Sequence, residues 1–447
     1  MNIANWGNYP RIKSHLFSNV TLDEVPELTT HKKDLIVRGN GRSCGDSSLN
    51  KNAILNLSKV KFNKKGMIYN YIDHELLVNS SASIGEVLDN YSLKNIILPV
   101  IPGSRIISVG GAIAADIHGK NHYLNGSLVN HVRCLDILTA SGELITATPK
   151  ENSDLFYATC GGMGLTGIIV SAGIRMTNTE TSVLKQQISL CENIDKLIEE
   201  SQNHRSSEYF SAWVDLSSTR THGRGVVISG NFASARELLD HDVAYLETAY
   251  SNSLLTVPFY LSSKLFNHLS VKALDRLYYH MQKHKRRRAQ FTGLNSFFFP
   301  MDAVKHWNRL YGRRGFIQYQ FVVPDSDVLK QIIFLVKRER LYSTMGSLKI
   351  FGEQNRQYGS LSFPMKGYSL SMDFKLTPNL FKVLDYIDEI VAESSGRVYL
   401  AKDSRMKAEV FRKMYGRAVD EFLEVKAKYD PCNRFNSLLA ERLCLKL

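Results

Sequence analysis

The spacing of apolar and polar positions changes texture along the chain. Up to about residue 177, short β-rich runs alternate with turns: residues 34–38 and 53–57 read as strands, 84–93 as a short helix and 96–100 as a strand. Two alternating arms around Ser141-Gly142 predict a hairpin over 134–146. Ser153 and Asp154 are placed to cap a helix through 155–159, and 165–176 closes the block as a β-branched strand. Beyond residue 178, longer strand candidates at 209–216, 225–229 and 318–323 alternate with helical periodicity at 328–340 and 380–394, while glycines thin out. That pattern predicts an antiparallel sheet with helices on one face. Residues 252–294 have weak periodicity and read as a mobile basic insertion, and the tail after 402 is helical. A chain of 447 residues exceeds what one core usually supports. The expectation is an α+β protein divided into 1–177, 178–395 and a C-terminal segment, 396–447.

Lysine and arginine number 56 against 43 acidic residues, a formal charge of +13. The surplus favours an anionic partner. Its densest run, residues 283–288, comes without zinc-finger spacing, RNA-binding aromatics or a basic zipper, so no nucleic-acid partner is expected. Six scattered cysteines offer no metal-ligand spacing, and no metal is expected. The N-terminus has no signal-peptide pattern, and no window reaches the roughly 18 apolar residues of a membrane span. A cytoplasmic protein is expected. Residues 253–263 are too short to cross a bilayer but can dip into one.

Three glycine clusters fall in the first block: Arg38-Gly-Asn-Gly-Arg-Ser-Cys-Gly-Asp46, the small-residue run from Gly103 through Gly110 and Gly111 to Asn121, and Gly161-Gly-Met-Gly-Leu-Thr-Gly167. The first lacks the helix that a Rossmann fingerprint requires. Glycines remove blocking Cβ atoms, and Gly103, Gly110 and Gly111 are expected to leave amides open to phosphate oxygens. Three such surfaces in one domain point to a large cofactor with a pyrophosphate.

Together with Gln318-Tyr-Gln-Phe321, Leu361-Ser-Phe-Pro364 and Tyr399-Leu-Ala-Lys-Asp-Ser-Arg405, the order and spelling of these clusters resemble the vanillyl-alcohol-oxidase type of FAD-binding proteins. Within that superfamily the chain resembles the oxidase subunits of decaprenylphosphoryl-ribose epimerases. The resemblance implies a PCMH-type FAD-binding domain with an antiparallel-sheet substrate, or cap, domain. It implies non-covalent FAD, with Arg38, Gly39, Asn40, Gly41, Arg42, Ser43, Cys44, Gly45 and Asp46 around the pyrophosphate beside Ser108, Val109, Gly110 and Gly111. Gly103, Ala115, Asp116, Ile117, His118 and Ile169 then run along the cofactor, and Tyr399 lies near the ring. Relatives that tether FAD use a histidine where this chain has Ser43 or Cys44, so no histidyl bond is expected there.

A lysine in the apolar run 397–402 must face solvent or a polar cavity. The resemblance places Lys402 beside the flavin, where its ammonium can orient a sugar hydroxyl or, desolvated, act as base. His118 is the second catalytic candidate, and Trp213, Gln320, Lys349, Ser371 and Lys402 are the substrate-side residues. Only one of Gln318 and Gln320 is expected to face the cavity, and Gln320 is chosen. Two departures stand out: Ser371 replaces a cysteine of the best-known relatives, and Ser369 an asparagine. The implied reaction is oxidation of the 2-hydroxyl of a polyprenyl-phospho-ribose to a ketone, the first half of an epimerisation. Its implied partners are a lipid-linked phospho-sugar and a short-chain NAD(P)H-dependent keto-reductase, with peripheral contact at the inner face of the cell membrane. Two other readings stay open: an oxidase of a soluble alditol or aldono-1,4-lactone using oxygen, and a catalytically silent flavin- or sugar-binding protein.

Overall fold

The early apolar runs pair in parallel: β1 (His15–Phe17), β2 (Ile36–Arg38) and β3 (Ala53–Asn56) form a small sheet in the order β1-β3-β2. This computed structural model describes residues 1–447 except 19, 22–23, 33, 61–65, 204–206, 219–222, 242, 244–254, 263–264, 266, 287–289, 344–345 and 355. Next come β4 (Met67–Asn70), β5 (Glu75–Asn79) and the helix α1 (Ile84–Tyr91). α1 starts where a capping box predicts: Ser83 and Glu86 satisfy each other's backbone amides. The strand expected at 96–100 shrinks to Ile96–Ile97, because Pro99 and Pro102 interrupt the ladder that would follow.

A short helix, α2 (Val109–Ala114), precedes the hairpin β6 (Val132–Leu138) and β7 (Leu144–Ala147), whose turn contains Ser141-Gly142 as expected. The helix α3 (Ser153–Thr159) departs from the expectation: neither Ser153 nor Asp154 caps it, and Asn152 holds the N-cap position without a side-chain bond. Asp154 is drawn away by Lys428 at 2.8 Å and Tyr429 at 3.2 Å, so docking replaces capping. β8 (Ile168–Arg175) completes a five-stranded antiparallel sheet, β7-β6-β8-β5-β4.

The rest of the chain builds an eight-stranded antiparallel sheet. Its strands are β9 (Val183–Cys191), β10 (Tyr209–Val214), β11 (Gly225–Phe232), β12 (Gln290–Gly293), β13 (Phe316–Val323), β14 (Gly346–Phe351), β15 (Gly367–Lys375) and β16 (Arg397–Val398), in the order β12-β9-β11-β10-β14-β15-β13-β16. Between β11 and β12 lies α4 (His268–Lys285), an 18-residue helix within the segment expected to be irregular. Its weak periodicity has a physical source: Leu269, Leu274 and Leu277 point to solvent instead of the core. Leu254, Arg287 and Arg288, part of that insertion, lie outside the described residues.

Alternation along β13 sets the sheet's two faces. Ile317, Tyr319, Phe321 and Val323 join the core beneath α5 (Ser326–Arg338) and α6 (Leu380–Glu393), whose apolar residues recur at helical spacing: Leu329, Ile332, Ile333 and Val336, then Leu380, Val383, Leu384 and Ile387. Gln318 and Gln320 take the other face. After β16 come α7 (Ala408–Tyr415) and α8 (Arg417–Tyr429), and the tail returns to the glycine-rich part. Buried Lys426 donates to Asp430 at 2.6 Å and to the carbonyls of Leu165 at 2.8 Å and Phe435 at 2.9 Å. Arg442 bridges Asp46 at 2.9 Å and Asp403 at 2.7 Å.

Candidate active site

Two of the glycine clusters meet. The loop after β2 runs so close to the start of α2 that a Cβ at Gly39 would stand 2.1 Å from the Ser108 hydroxyl oxygen. Ser108 is the N-cap of α2, and its Oγ accepts from the Gly111 amide at 3.3 Å. The amides of Gly39, Asn40, Gly41, Arg42 and Ser43 have no acceptor among the described residues, so a run of backbone donors is open to an anion. Nearby, Gly103 is exposed with open space where a Cβ would be, and Gly111 is exposed as well. This cradle fits the pyrophosphate of FAD. Arg42 packs over the Trp6 ring at 4.2 Å, and its Nε is buried without a partner.

Some expected contributors are committed elsewhere. The Gly110 amide donates to the Ser80 carbonyl at 2.8 Å and that of Val109 to Ala82 at 2.7 Å, so neither is free for phosphate. Gly110 serves close packing instead, since a Cβ there would sit 2.8 Å from Ser80 Cβ. Asp46 is held by Arg442, and the Asp116 carboxylate accepts from Ser127 Oγ at 2.8 Å, the Val129 amide at 3.0 Å and Ser362. Asp46 thus anchors Arg442 of the tail, and Asp116 ties the 127–129 turn to Ser362. Tyr399 stacks on Phe363 at 4.7 Å and donates its hydroxyl to the Ala115 carbonyl at 2.8 Å, tying β16's end to the run beyond α2. Ile117 and Ile169 are buried in the core. Cys44 is buried in an apolar cluster with Phe316 and Tyr311, its thiol pushed up to about 12 chiefly by burial, so it is unreactive.

The polar face of the large sheet gathers the other candidates. Register places Gln318 opposite Asp373, Gln320 opposite Ser371, and Lys349 opposite Ser369. Residues two apart on a strand share a face. The expectation that only one glutamine turns this way is therefore corrected: Gln318 donates to Asp373 at 2.7 Å, and Gln320 stands 2.9 Å from both His118 Nε2 and Ser369 Oγ. Gln320 Oε1 and Asp373 Oδ2 are buried without partners, two acceptors left for a ligand or water. Trp213 lies on the adjoining strand, 4.9 Å from the Tyr278 ring of α4.

Lys402 sits in a turn after β16, not in the strand expected through 402; its amide closes onto the Tyr399 carbonyl at 3.0 Å. Its ammonium donates to Ser371 Oγ at 3.0 Å. Burial lowers its pKa, opposed by Cys44 and Asp373. Lys349 is pushed down to about 7 by burial, then by Lys402 and Lys120, and Lys120 to about 8 by burial alone. His118 is held well below its usual range by burial, then by Lys349 and Lys402, and is a neutral imidazole. Lys349 Nζ lies 3.3 Å from His118 Nδ1. With Gln320 donating to Nε2, the hydrogen-bond network assigns the imidazole proton to Nδ1, the nitrogen that faces Lys349. Asp373, fully buried, is raised to about 6 by burial. Gln318, Asp373 and Ser369 belong to this cluster too: the sequence reading sets Gln318 aside, marks Ser369 only as a departure and misses Asp373, for which the two-residue spacing of Ser369, Ser371 and Asp373 is the available signal. Lys120, whose side-chain nitrogen reaches the Phe297 carbonyl at 2.5 Å, is the third lysine nearby.

A glycine-lined cradle of amides beside a sheet face bearing three lysines whose pKa burial lowers and a neutral histidine defines a flavin-dependent oxidoreductase. A family model described as FAD binding domain matches residues 23–148, and the fold is of the vanillyl-alcohol-oxidase type. The chain is 36% identical to decaprenylphosphoryl-beta-D-ribose oxidase of Mycolicibacterium smegmatis, over 99% of this chain and 97% of that protein. It is 33% identical to an uncharacterized protein of Streptomyces coelicolor over 78% of this chain and 96% of that one. A more distant likeness, 28% over 44% of the chain and 38% of the other, links it to D-arabinono-1,4-lactone oxidase of Yarrowia lipolytica. The chain belongs to the decaprenylphosphoryl-β-D-ribose oxidase family of FAD-dependent oxidoreductases.

Proposed function

We propose that the protein oxidises the 2-hydroxyl of a polyprenyl-phospho-β-D-ribose to a ketone, using non-covalently held FAD. The observation that carries this reading is the Lys402–Ser371 pair beside the His118–Gln320–Lys349 chain, in a protein similar to a decaprenylphosphoryl-β-D-ribose oxidase along nearly its whole length. FAD, when bound, would supply the two-electron acceptor. The 39–43 amides would hold it, with exposed Gly103 and Gly111 leaving room for its approach, the Gly111 amide being taken by Ser108, and the inert, buried Cys44 favours non-covalent binding. The chain's own residues handle the hydroxyl. Lys402 as a free amine takes its proton, and Ser371 fixes the lysine's position. Gln320, through its unpartnered Oε1, and Lys349 orient the sugar, while neutral His118 holds Gln320 in place.

The two-domain division at 178, with the tail from 396 returning to the FAD-binding part, suits a site formed where loop and sheet face meet. The reading implies a lipid-linked phospho-sugar as substrate, an NAD(P)H-dependent keto-reductase to complete the epimerisation, and a peripheral position at the inner face of the cell membrane. Six free cysteines fit a reducing compartment, and no described helix is long and apolar enough to cross a membrane. The test is Lys402→Ala, with Lys402→Arg as control: both should retain the flavin spectrum, and the anaerobic rate of substrate-dependent bleaching should fall about 10²–10⁴-fold in Lys402→Ala. Bleaching at the wild-type rate would remove Lys402 from the mechanism.

A further inference from the structure

α4 has three faces. One is committed to the protein: Val271, Asp275 and Gln282 are buried, and Tyr278 meets Trp213. At 100° per residue, Leu274, Leu277 and Met281 fall on one outer ridge, and they are 48%, 58% and 48% exposed. Lys272, Arg276 and Lys283 fall on a second outer ridge, all exposed, with Arg286 at its end and exposed Lys285 on the apolar side. The helix's one acid, Asp275, is buried, so its outer surface carries no anionic side chain.

The apolar ridge continues beyond the helix. Leu255 and Phe259 are each 65% exposed and Leu265 is 62% exposed, while Leu269, in the first turn of α4, is 74% exposed. The 255–261 stretch is fixed along residues 305–309: the Val257 amide donates to the Lys305 carbonyl at 2.9 Å and that of Leu261 to Arg309 at 3.0 Å. Val271 packs in the same cluster as Tyr311 and Trp307, so the start of α4 lies along this strip too. Eight of the 21 exposed large apolar side chains among the described residues fall between 255 and 281. Such concentration marks a contact surface and not scattered exposure. A second copy of the chain is a poor occupant, because a two-fold interface would set this cationic ridge against itself.

We propose that the 255–261 stretch and the outer ridges of α4 form a docking surface for an anionic lipid bilayer, with leucines in the acyl boundary and lysines and arginines at the headgroup phosphates. The inference stands on exposed side chains and not on the substrate reading. Docking would also bring the inner side of α4, and with it Trp213, next to the bilayer.

The test uses full-length FAD-loaded protein and vesicles of phosphatidylcholine alone or with phosphatidylglycerol in equal parts. Wild type should co-sediment with the mixed vesicles, and high salt should weaken the binding. Leu269→Glu/Leu277→Glu should bind them at least about tenfold more weakly, and Lys272→Glu/Arg276→Glu should lose the preference for anionic lipid. Flavin spectra and melting temperatures matching wild type establish that the variants fold. Equal sedimentation of wild type and the leucine variant overturns the inference, as does sedimentation-velocity evidence that the leucines mediate a dimer. Flavin bleaching by a short-chain, water-soluble substrate analogue is read in parallel. Vesicle binding without bleaching by wild type would sink the substrate reading while leaving the docking surface standing.

Discussion

Gly39→Ala puts the cofactor cradle to a quantitative test. The new Cβ would lie 2.1 Å from Ser108 Oγ and 3.1 Å from Ser108 Cβ. Two relaxations are available. Ser108 can rotate, breaking the 3.3 Å bond to the Gly111 amide that caps α2, which costs about 1 kcal/mol. Alternatively the loop shifts, and the open amides from Gly39 to Ser43 shift with it. The loop shift penalises the FAD-bound state, because the displaced donors are those assigned to phosphate, and rotating Ser108 loosens the start of α2 that packs against them. At about 1.4 kcal/mol per decade, a combined loss near 1.5–3 kcal/mol weakens FAD binding roughly ten- to hundredfold. The assay is flavin fluorescence on titration into apoprotein. Adding Ser108→Gly removes the clashing hydroxyl, and glycine at an N-cap costs only a few tenths of a kcal/mol. The double variant should therefore bind more tightly than the single one. Wild-type affinity in Gly39→Ala, or no recovery in the double variant, would refute the claim that these two clusters form one wall of the cofactor site.

Other perturbations reach different parts of the account. Lys426→Met leaves two carbonyls and Asp430 without their buried ammonium, so chemical denaturation should show a loss of about 3–5 kcal/mol; a change under 1 would mean that the clasp is slack. Asp275 of α4, packed near Asp215 and Arg224, is raised to about 7 mainly by burial. Its native state thus binds more protons than the unfolded chain, and stability should fall as pH rises from about 4 to 7. Asp275→Asn should flatten that part of the melting-temperature profile, and an unchanged profile would discard the assignment. Ser371 offers no thiol, so covalent inhibitors that target the cysteine of relatives should leave position 371 unmodified in peptide mass spectra; a mass shift there contradicts this.

Local signals carried much of the fold. The Ser141-Gly142 hairpin and the helices α1, α5 and α6 depend on neighbours within a few residues, and sequence reading located them. Long-range partners decided the rest. Asp154 is claimed by α8 instead of its own helix, and Asp46 by Arg442 across 396 positions. Gly110 looked like a phosphate donor until Ser80 took its amide. α4 escaped because its leucines face outward, which erases the single apolar stripe that a helix reading relies on. Lys402 was legible as a lysine in an apolar setting. Its partners were not, since Asp373 and Gln318 become neighbours only through strand register.

The central claim is tested most directly by the anaerobic half-reaction of the purified holoprotein with polyprenyl-phospho-β-D-ribose, beside its 2-deoxy analogue and soluble lactones. Bleaching of the flavin by the ribose compound alone is expected, with one equivalent of 2-keto sugar formed per flavin. Bleaching by the 2-deoxy analogue, or by lactones in place of the lipid-linked sugar, would contradict it.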